Sequence, residues 1–203
     1  MQRPALRRPV GVALYAVGAG LLLYTGGIGA TGALARDRAR TEWERAEARS
    51  VVHEVAARLD RRGEVAPPRP GAPVARIIIP RLGLDEVVVE GVATAQLNAG
   101  PGHVPGSVLP GESGNAVISA HRDRHFHALD RLAFGDTVVT ETIADRVVWV
   151  VSGIRVVDRA APALFASRTA ELTLTTCWPV RYVGPAPDRL IIVARPVSRA
   201  PRA

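Results

Sequence analysis

Lysine is absent from this chain of 203 residues, cysteine occurs once, and aromatic residues make up only 4%. All 26 cationic side chains are therefore arginines, and they are spread along the chain without a run of five or six. Proteins that bind nucleic acid usually concentrate basic residues on one surface and stack aromatic side chains on the bases. The net charge of +7 therefore does not indicate nucleic acid as a partner. A single cysteine cannot form an internal disulfide, so the cysteine content leaves the redox compartment open.

Charged residues are also absent from Pro9 to Ala35, a stretch of 27 residues. As a helix it would be about 40 Å long, which is enough to cross a hydrocarbon core of about 30 Å with some tilt. We therefore predict a membrane anchor over residues 9–35, preceded by a short basic tail at 1–8. The alternative is a signal peptide cleaved at Ala33-Leu34-Ala35, but the apolar part of a signal peptide is shorter, at about 7–15 residues. Arginines flank the segment on both sides, so charge alone does not set its orientation.

Residues 36–73 predict a helical stalk followed by a proline-rich linker. Charges of both signs fill the solvent-facing positions of the predicted helix. The sequence APPRPGAP, residues 66–73, ends any helix and favours an extended linker. The apolar residues that recur at helical spacing are Trp43, Ala46, Val51, Val55 and Leu59.

From Val74 onward the sequence changes to short β-branched runs separated by glycine and proline. Seven or eight short strands of this kind predict a closed all-β barrel or a sandwich. A parallel α/β sheet would need helical patterns of about 10–15 residues between the strands, and the sequence has none. The longest run could break at Gly153 into two strands. The predicted strands cover residues 74–79, 85–92, 115–120, 136–142, 145–157, 170–177 and 189–196.

The cysteine, Cys177, ends one apolar run, and Arg189 begins the next run after a loop of 11 residues. If these two runs pair as a hairpin, the thiol and the guanidinium lie at the same end of the barrel. A thiol is mostly protonated at neutral pH, so a nucleophilic cysteine needs a neighbouring base or cation, most often histidine. His121 is the strongest candidate because it directly follows a predicted strand, as Cys177 ends one. The other histidines of this region are His103, His125 and His127.

Three stretches around these residues resemble the sortases, a family of membrane-anchored cysteine transpeptidases. TLTTC (173–177) is similar to the TLxTC signature of that family, SAHRDRHF (119–126) to its catalytic histidine segment, and DRLIIVAR (188–195) to the strand with its essential arginine. The resemblance extends from Arg76 to Pro196 and is greatest to the class D group and the related sortases of Gram-negative bacteria. It implies a closed eight-stranded β-barrel, with short helices and loops, as a catalytic domain over residues 74–203.

The resemblance also implies a mechanism and partners. Cys177 would attack the threonine carbonyl of an LPxTG-like sorting signal, at the C-terminus of a protein substrate, and form a thioester. His121 would act as general acid and base, and Arg189 would stabilise the oxyanion. An amine of a cell-wall precursor or of another protein would then accept the protein, at the cell membrane and outside the cytoplasm. The residues expected to contact the substrate are Thr176, Ala120 and Trp178.

Two other functions are alternatives to this interpretation. An L,D-transpeptidase is also a cell-wall cysteine acyltransferase, but its cysteine follows a serine-x-glycine pattern, and TLTTCW has no glycine before the thiol. A catalytically silent envelope protein could use the same barrel to bind a peptide.

Asp123 could orient His121, although two residues along one segment is poor geometry for that, and His103 is expected to pack in a loop. No cluster of carboxylates indicates a metal site, so we expect neither a metal nor another cofactor.

Overall fold

The computed structural model describes residues 7–48, 67–161 and 167–201. These ranges contain two α-helices, α1 (Arg7–Ala48) and α2 (Thr94–Ala99), and short 3-10 helices over Pro80–Leu82 and Leu129–Arg131. The strands are β1 (Pro73–Ile79), β2 (Leu84–Glu90), β3 (Gly102–His103), β4 (Asn115–Ser119), β5 (Thr137–Glu141), β6 (Asp145–Asp158), β7 (Glu171–Trp178) and β8 (Asp188–Pro201).

The eight strands close into a barrel in the order β1-β2-β3-β4-β7-β8-β6-β5, and β5 returns to pair with β1. Neighbouring strands are antiparallel except for β2–β3 and β4–β7, which are parallel. The predicted closed eight-stranded barrel is confirmed. Strand β3 was not predicted because it has only two residues, which is too short for an alternating pattern.

Strand β6 runs without interruption from Asp145 to Asp158, so the break considered at Gly153 does not occur. The register of β6 against β8 shifts between Val151 and Gly153 instead. A bulge of this kind accommodates a glycine inside a strand and bends the strand around the barrel.

The barrel is filled by β-branched, aliphatic and aromatic side chains from the inner face of the strands. In β6, Val147, Trp149 and Val151 are buried and alternate with more exposed residues. The indole N–H of Trp149 donates a 2.7 Å hydrogen bond to the hydroxyl of Thr140, so this buried polar atom has a partner. The largest fully buried side chains include Trp149, Phe126, Ile77, Ile79, Ile118, Leu129, Leu172, Leu174 and Ile192.

Helix α1 is one continuous helix that contains the apolar N-terminal segment and then packs against the barrel. Its part from Gly11 to Ala46 contains an 18-residue window with a mean hydropathy of 1.6, and it is long and apolar enough to cross a membrane, by length and composition alone. Its second half packs on α2, β1 and β2 through buried Gly32, Ala39 and Trp43, which follow helical spacing. A Cβ at Gly32 would lie 3.2 Å from a backbone oxygen of α2, so a larger side chain would press the helix away.

The predicted stalk is therefore observed as a helix as far as Ala48, and its observed part lies against the barrel. The remaining stalk positions, with Val51, Val55 and Leu59, lie outside the described residues. Apolar side chains of the first half of α1 are exposed, among them Val12, Leu14, Tyr15, Leu22 and Leu23.

Candidate active site

Strand register brings the three predicted functional residues to one end of the barrel. Strands β7 and β8 pair antiparallel, which puts Cys177 and Arg189 at the same end of the barrel as the hairpin interpretation predicts, and their register sets the two residues directly opposite each other. Strand β4 runs parallel to β7 with Ser119 opposite Thr175. His121 and Cys177 each follow these paired residues by two positions, so they lie at the same end of adjacent strands.

Cys177 is an exposed free thiol near the C-terminal end of β7. The five preceding residues of β7, Leu172 to Thr176, are buried on both faces of the strand, so the thiol becomes accessible only where the strand reaches the end of the barrel. Arg189 is also exposed. Since directly opposed residues of an antiparallel pair project to the same face, the thiol and the guanidinium share one accessible surface.

Thr176 ties the ends of β4 and β7 together. Its hydroxyl donates a 2.8 Å hydrogen bond to the carbonyl of Ala120, and the Ala120 N–H donates to the carbonyl of Thr175 at 3.2 Å. Thr176 and Ala120 are both buried, and Trp178 is half-buried against the core. These contacts fix the spacing of the strand ends that lead to His121 and Cys177. The expected contacts of Thr176, Ala120 and Trp178 with a substrate stay predictions.

His121 opens a tight turn and is half-buried. Its carbonyl accepts hydrogen bonds from the N–H groups of Arg124 and Phe126, at 3.3 and 3.1 Å. Burial lowers the pKa of His121, the nearby charges of Arg124 and His125 lower it further, and the Asp123 carboxylate opposes them. The imidazole is therefore mostly neutral at neutral pH, which is the form that can accept a proton.

The remaining histidines of this region have structural partners. His103 lies in β3, not in a loop as expected, and is buried with its Nδ1 2.6 Å from a Glu90 carboxylate oxygen. His125 is buried with its Nδ1 3.3 Å from Glu86, and His127 is exposed with its Nδ1 2.6 Å from the Arg124 carbonyl. The one signal of the His103 network in the sequence is a carboxylate, Glu90, at the end of an apolar run.

Arg122 is a residue of this site that the sequence reasoning missed. Its guanidinium donates to the carbonyls of Pro179 and Gly184, at 3.3 and 2.6 Å, and lies 5.7 Å from the centre of the Tyr182 ring. Its position directly after His121 is the only signal that the sequence offered.

Within the described ranges, no group of three or more histidine, cysteine, aspartate and glutamate side chains could hold a metal ion. Independence of metals and of other cofactors stays a prediction. The chemistry that the site can perform with its own groups is acyl transfer, since it combines an accessible thiol, a neutral imidazole and a permanent cation.

Residues 77–197 match a family model described as "Sortase domain". Sortase D of Bacillus subtilis (strain 168) is 33% identical over 122 residues, which are 59% of this chain and 62% of that protein, so the match spans less than two thirds of that relative. Among solved structures, a Clostridium perfringens Sortase D5 transpeptidase aligns with a TM-score of 0.69 at 23% identity, over 81% of this chain and 99% of that one. The catalytic domain of B. anthracis SrtD aligns with a TM-score of 0.57 at 31% identity, over 66% of this chain and 93% of that one.

Proposed function

The chain belongs to the sortase family, and on that premise we propose that it is a cysteine transpeptidase of the cell envelope. Its donor is a protein that carries a C-terminal LPxTG-like sorting signal, and its acceptor is an amine of a cell-wall precursor or of another protein. The observation that supports this most directly is the strand register that aligns His121, Cys177 and Arg189 at one end of the barrel. We take residues 74–203 as the catalytic domain.

Acylation begins at Cys177. The neutral imidazole of His121 takes the thiol proton, because burial lowers the pKa of this histidine and leaves it unprotonated at neutral pH. The sulfur forms a bond with the threonine carbonyl carbon, and the carbonyl oxygen becomes an oxyanion. Collapse of this intermediate breaks the peptide C–N bond, and the imidazolium of His121 returns the proton to the leaving amine.

Transfer reverses these proton movements. The acceptor amine attacks the thioester, His121 removes a proton from it, and the C–S bond breaks to give a new amide and the free thiol. Arg189 donates N–H groups to the oxyanion in both steps, and its guanidinium stays charged at every working pH. Water in place of the amine would give hydrolysis, so exclusion of water from the thioester decides the product.

A direct test uses internally quenched Leu-Pro-X-Thr-Gly peptides, with triglycine as the acceptor amine. The wild-type chain should cleave the peptide, form a thioester on Cys177 that mass spectrometry detects, and join the acyl part to triglycine. His121→Ala should lose this activity, by about 10²–10⁴ in rate. His127→Ala is the matched control, since His127 belongs to the same segment and is exposed. Equal losses in the two histidine variants would contradict the role given to His121.

The localisation is part of the same proposal. Helix α1 is long and apolar enough to cross a membrane, by length and composition. We take residues 9–35 as the anchor, residues 36–73 as the connection to the barrel, and the barrel as lying outside the cytoplasm. A reporter enzyme fused after Ala203 should be active only if it is exported. Activity of a cytoplasmic reporter at that position would contradict the proposed topology. No observation on the described residues favours an L,D-transpeptidase or a silent scaffold.

A further inference from the structure

The loop between β7 and β8 follows the cysteine and precedes the arginine of the site. It runs from Pro179 to Pro187, directly after Trp178 and before Asp188. Its anchoring residues Val180 and Ala186 are buried, whereas the tip between them is exposed. The loop therefore connects the two strand ends that carry Cys177 and Arg189.

Arg122 holds this loop from the histidine segment. One guanidinium N–H group donates to the carbonyl of Pro179, at the start of the loop, and another to the carbonyl of Gly184, at its far side. The same guanidinium lies 5.7 Å from the centre of the Tyr182 ring, within the range of a cation–π contact. Three positions along the loop are thus held by one side chain, which is adjacent in sequence to His121.

The planar shape of arginine is needed for this arrangement. A guanidinium presents N–H donors in fixed, diverging directions, so it can bridge two carbonyls and still present its face to an aromatic ring. A lysine ammonium could donate to both carbonyls only by moving between them or by pulling them together. The contacts therefore depend on shape as well as charge.

The part of the loop that Arg122 holds exposes apolar side chains. Val183 is 99% exposed and Tyr182 is 47% exposed, so an aliphatic side chain and part of an aromatic ring face the solvent there. They lie on the loop that connects the strand ends of Cys177 and Arg189. Exposed apolar side chains on such a loop are suited to contact an apolar part of the substrate.

We infer that Arg122 is a positioning residue that holds the β7–β8 loop, so that Tyr182 and Val183 contact an apolar side chain of the donor peptide while its carbonyl meets Cys177. This rests on the proposed function, and it adds a residue to that function. Arg122 acts through the loop, and it makes no contact with the reacting atoms.

The first experiment needs no substrate. Hydrogen–deuterium exchange is measured on the full chain in detergent micelles for the wild type, Arg122→Ala and Arg181→Ala. Arg181 is the matched control because it is an exposed arginine in the same loop. Loss of the two hydrogen bonds should speed exchange of the amides around Val180 and Ala186 by about tenfold in Arg122→Ala. Exchange should stay at the wild-type rate in Arg181→Ala, and strands β1 and β2 should be unchanged in both.

The second experiment measures reaction at Cys177 with two probes. With the quenched Leu-Pro-X-Thr-Gly peptides, kcat/KM of Arg122→Ala should fall by about 10²-fold, because a misplaced binding surface costs that much in orientation. Reaction with iodoacetamide should stay at the wild-type rate, since this small reagent makes no contact with the loop. Arg122→Lys should recover little of the peptide activity, because charge alone does not restore the bridge.

Each other result overturns the inference in a recognisable way. Unchanged exchange in Arg122→Ala means that the loop does not depend on this residue. Faster exchange with unchanged peptide kcat/KM means that the loop does not position the substrate. A parallel fall in both reactions, or full recovery in Arg122→Lys, means that Arg122 acts by its charge on the thiol or on the histidine. If the wild type reacts with iodoacetamide and cleaves none of the peptides, the proposed sorting signal fails, and the exchange experiment alone decides whether Arg122 holds the loop.

Discussion

His103 lies in β3 and His121 follows the end of the adjacent strand β4, and the surroundings of the two histidines are opposite. His103 is opposite Ile118 in the β3–β4 pair, and Ile118 precedes His121 by only three residues. His103 is 3% exposed, and both of its ring nitrogens have partners. His121 is half-buried, and the described part of the chain gives its ring no hydrogen bond or ion pair. A histidine whose two nitrogens are occupied stabilises the fold, whereas one whose ring is open to a thiol can move protons.

The proton positions around His103 follow from its neighbours. The hydroxyl of Ser107 donates its single hydrogen to the carbonyl of Val104, at 2.8 Å. It must therefore accept from Nε2 of His103, 2.9 Å away, as the Val108 carbonyl at 3.0 Å also does. Nε2 is thus the donor to both oxygens, and Nδ1 lies against the Glu90 carboxylate. This network is complete, and proton transfer to a substrate would break it.

The largest effect should come from removing Cys177, the thiol from which His121 is proposed to take a proton. Cys177→Ala should abolish thioester formation, because no other group of the site can hold the acyl chain. The unfolding temperature should stay near the wild-type value, since an exposed thiol contributes little packing. Mass spectrometry after incubation with the quenched peptide checks the first part, and circular dichroism during heating checks the second. A variant that still cleaved the peptide would show that another residue is the nucleophile.

Arg189→Lys should have the next largest effect. Lysine keeps the positive charge and loses the planar pair of donors, so acylation by the peptide should slow by about 10²–10³. Alkylation of Cys177 by iodoacetamide should change much less, because that reaction forms no oxyanion. Both rates are measured across pH in the same preparation. A parallel fall in the two rates would mean that Arg189 acts on the thiol.

Disrupting the hydrogen bonds around His103 should lower the free energy of unfolding and leave the reaction at Cys177 unchanged. His103→Leu leaves Glu90 buried without its partner, which should cost about 3–5 kcal/mol of unfolding free energy. The double variant Glu90→Leu/His103→Leu should recover much of this loss, because no unpaired charge remains. Urea unfolding followed by tryptophan fluorescence measures both variants. The folded fraction should keep the wild-type kcat, and a loss of kcat would assign His103 to the reaction itself.

The smallest effect concerns pH. Because burial lowers the pKa of His121 from its ordinary value of 6.5, kcat/KM for the peptide should fall only below that pH, where the imidazole becomes protonated. The Asp123 carboxylate raises this pKa, so Asp123→Asn should move the acid limb to still lower pH. A pH profile of both proteins tests this. A large loss of activity at neutral pH in Asp123→Asn would instead make Asp123 the residue that orients His121.

The sequence predicted the features that depend on local pattern. The seven β-branched runs became strands, and the positions of His121, Cys177 and Arg189 near strand ends followed from where those runs stop. The hairpin placed Cys177 and Arg189 at the same end of the barrel, and the register that sets them directly opposite each other came only from the structure. These predictions succeeded because strand patterns and turns are set by residues close together in the chain.

The features that were missed depend on residues far apart in the chain. Strand β3 exists because Gly102 and His103 pair with β2 and β4, and two residues carry no pattern of their own. Arg122 contacts carbonyls more than fifty residues away. Gly32, Ala39 and Trp43 of α1 pack on α2, β1 and β2, which are thirty or more residues further along the chain, so the sequence predicted a helix there without its docking on the barrel.

The docking of α1 at Gly32 has a consequence for distance. Arg124 approaches this glycine, since a Cβ there would lie 3.0 Å from its guanidinium. His121 precedes Arg124 by three residues, which is at most about 11 Å of chain. If the apolar half of α1 crosses the bilayer as proposed, the catalytic end of the barrel works at a fixed, small height above the lipid. The donor protein must then bring its scissile bond down to that height above the lipid before Cys177 can attack it.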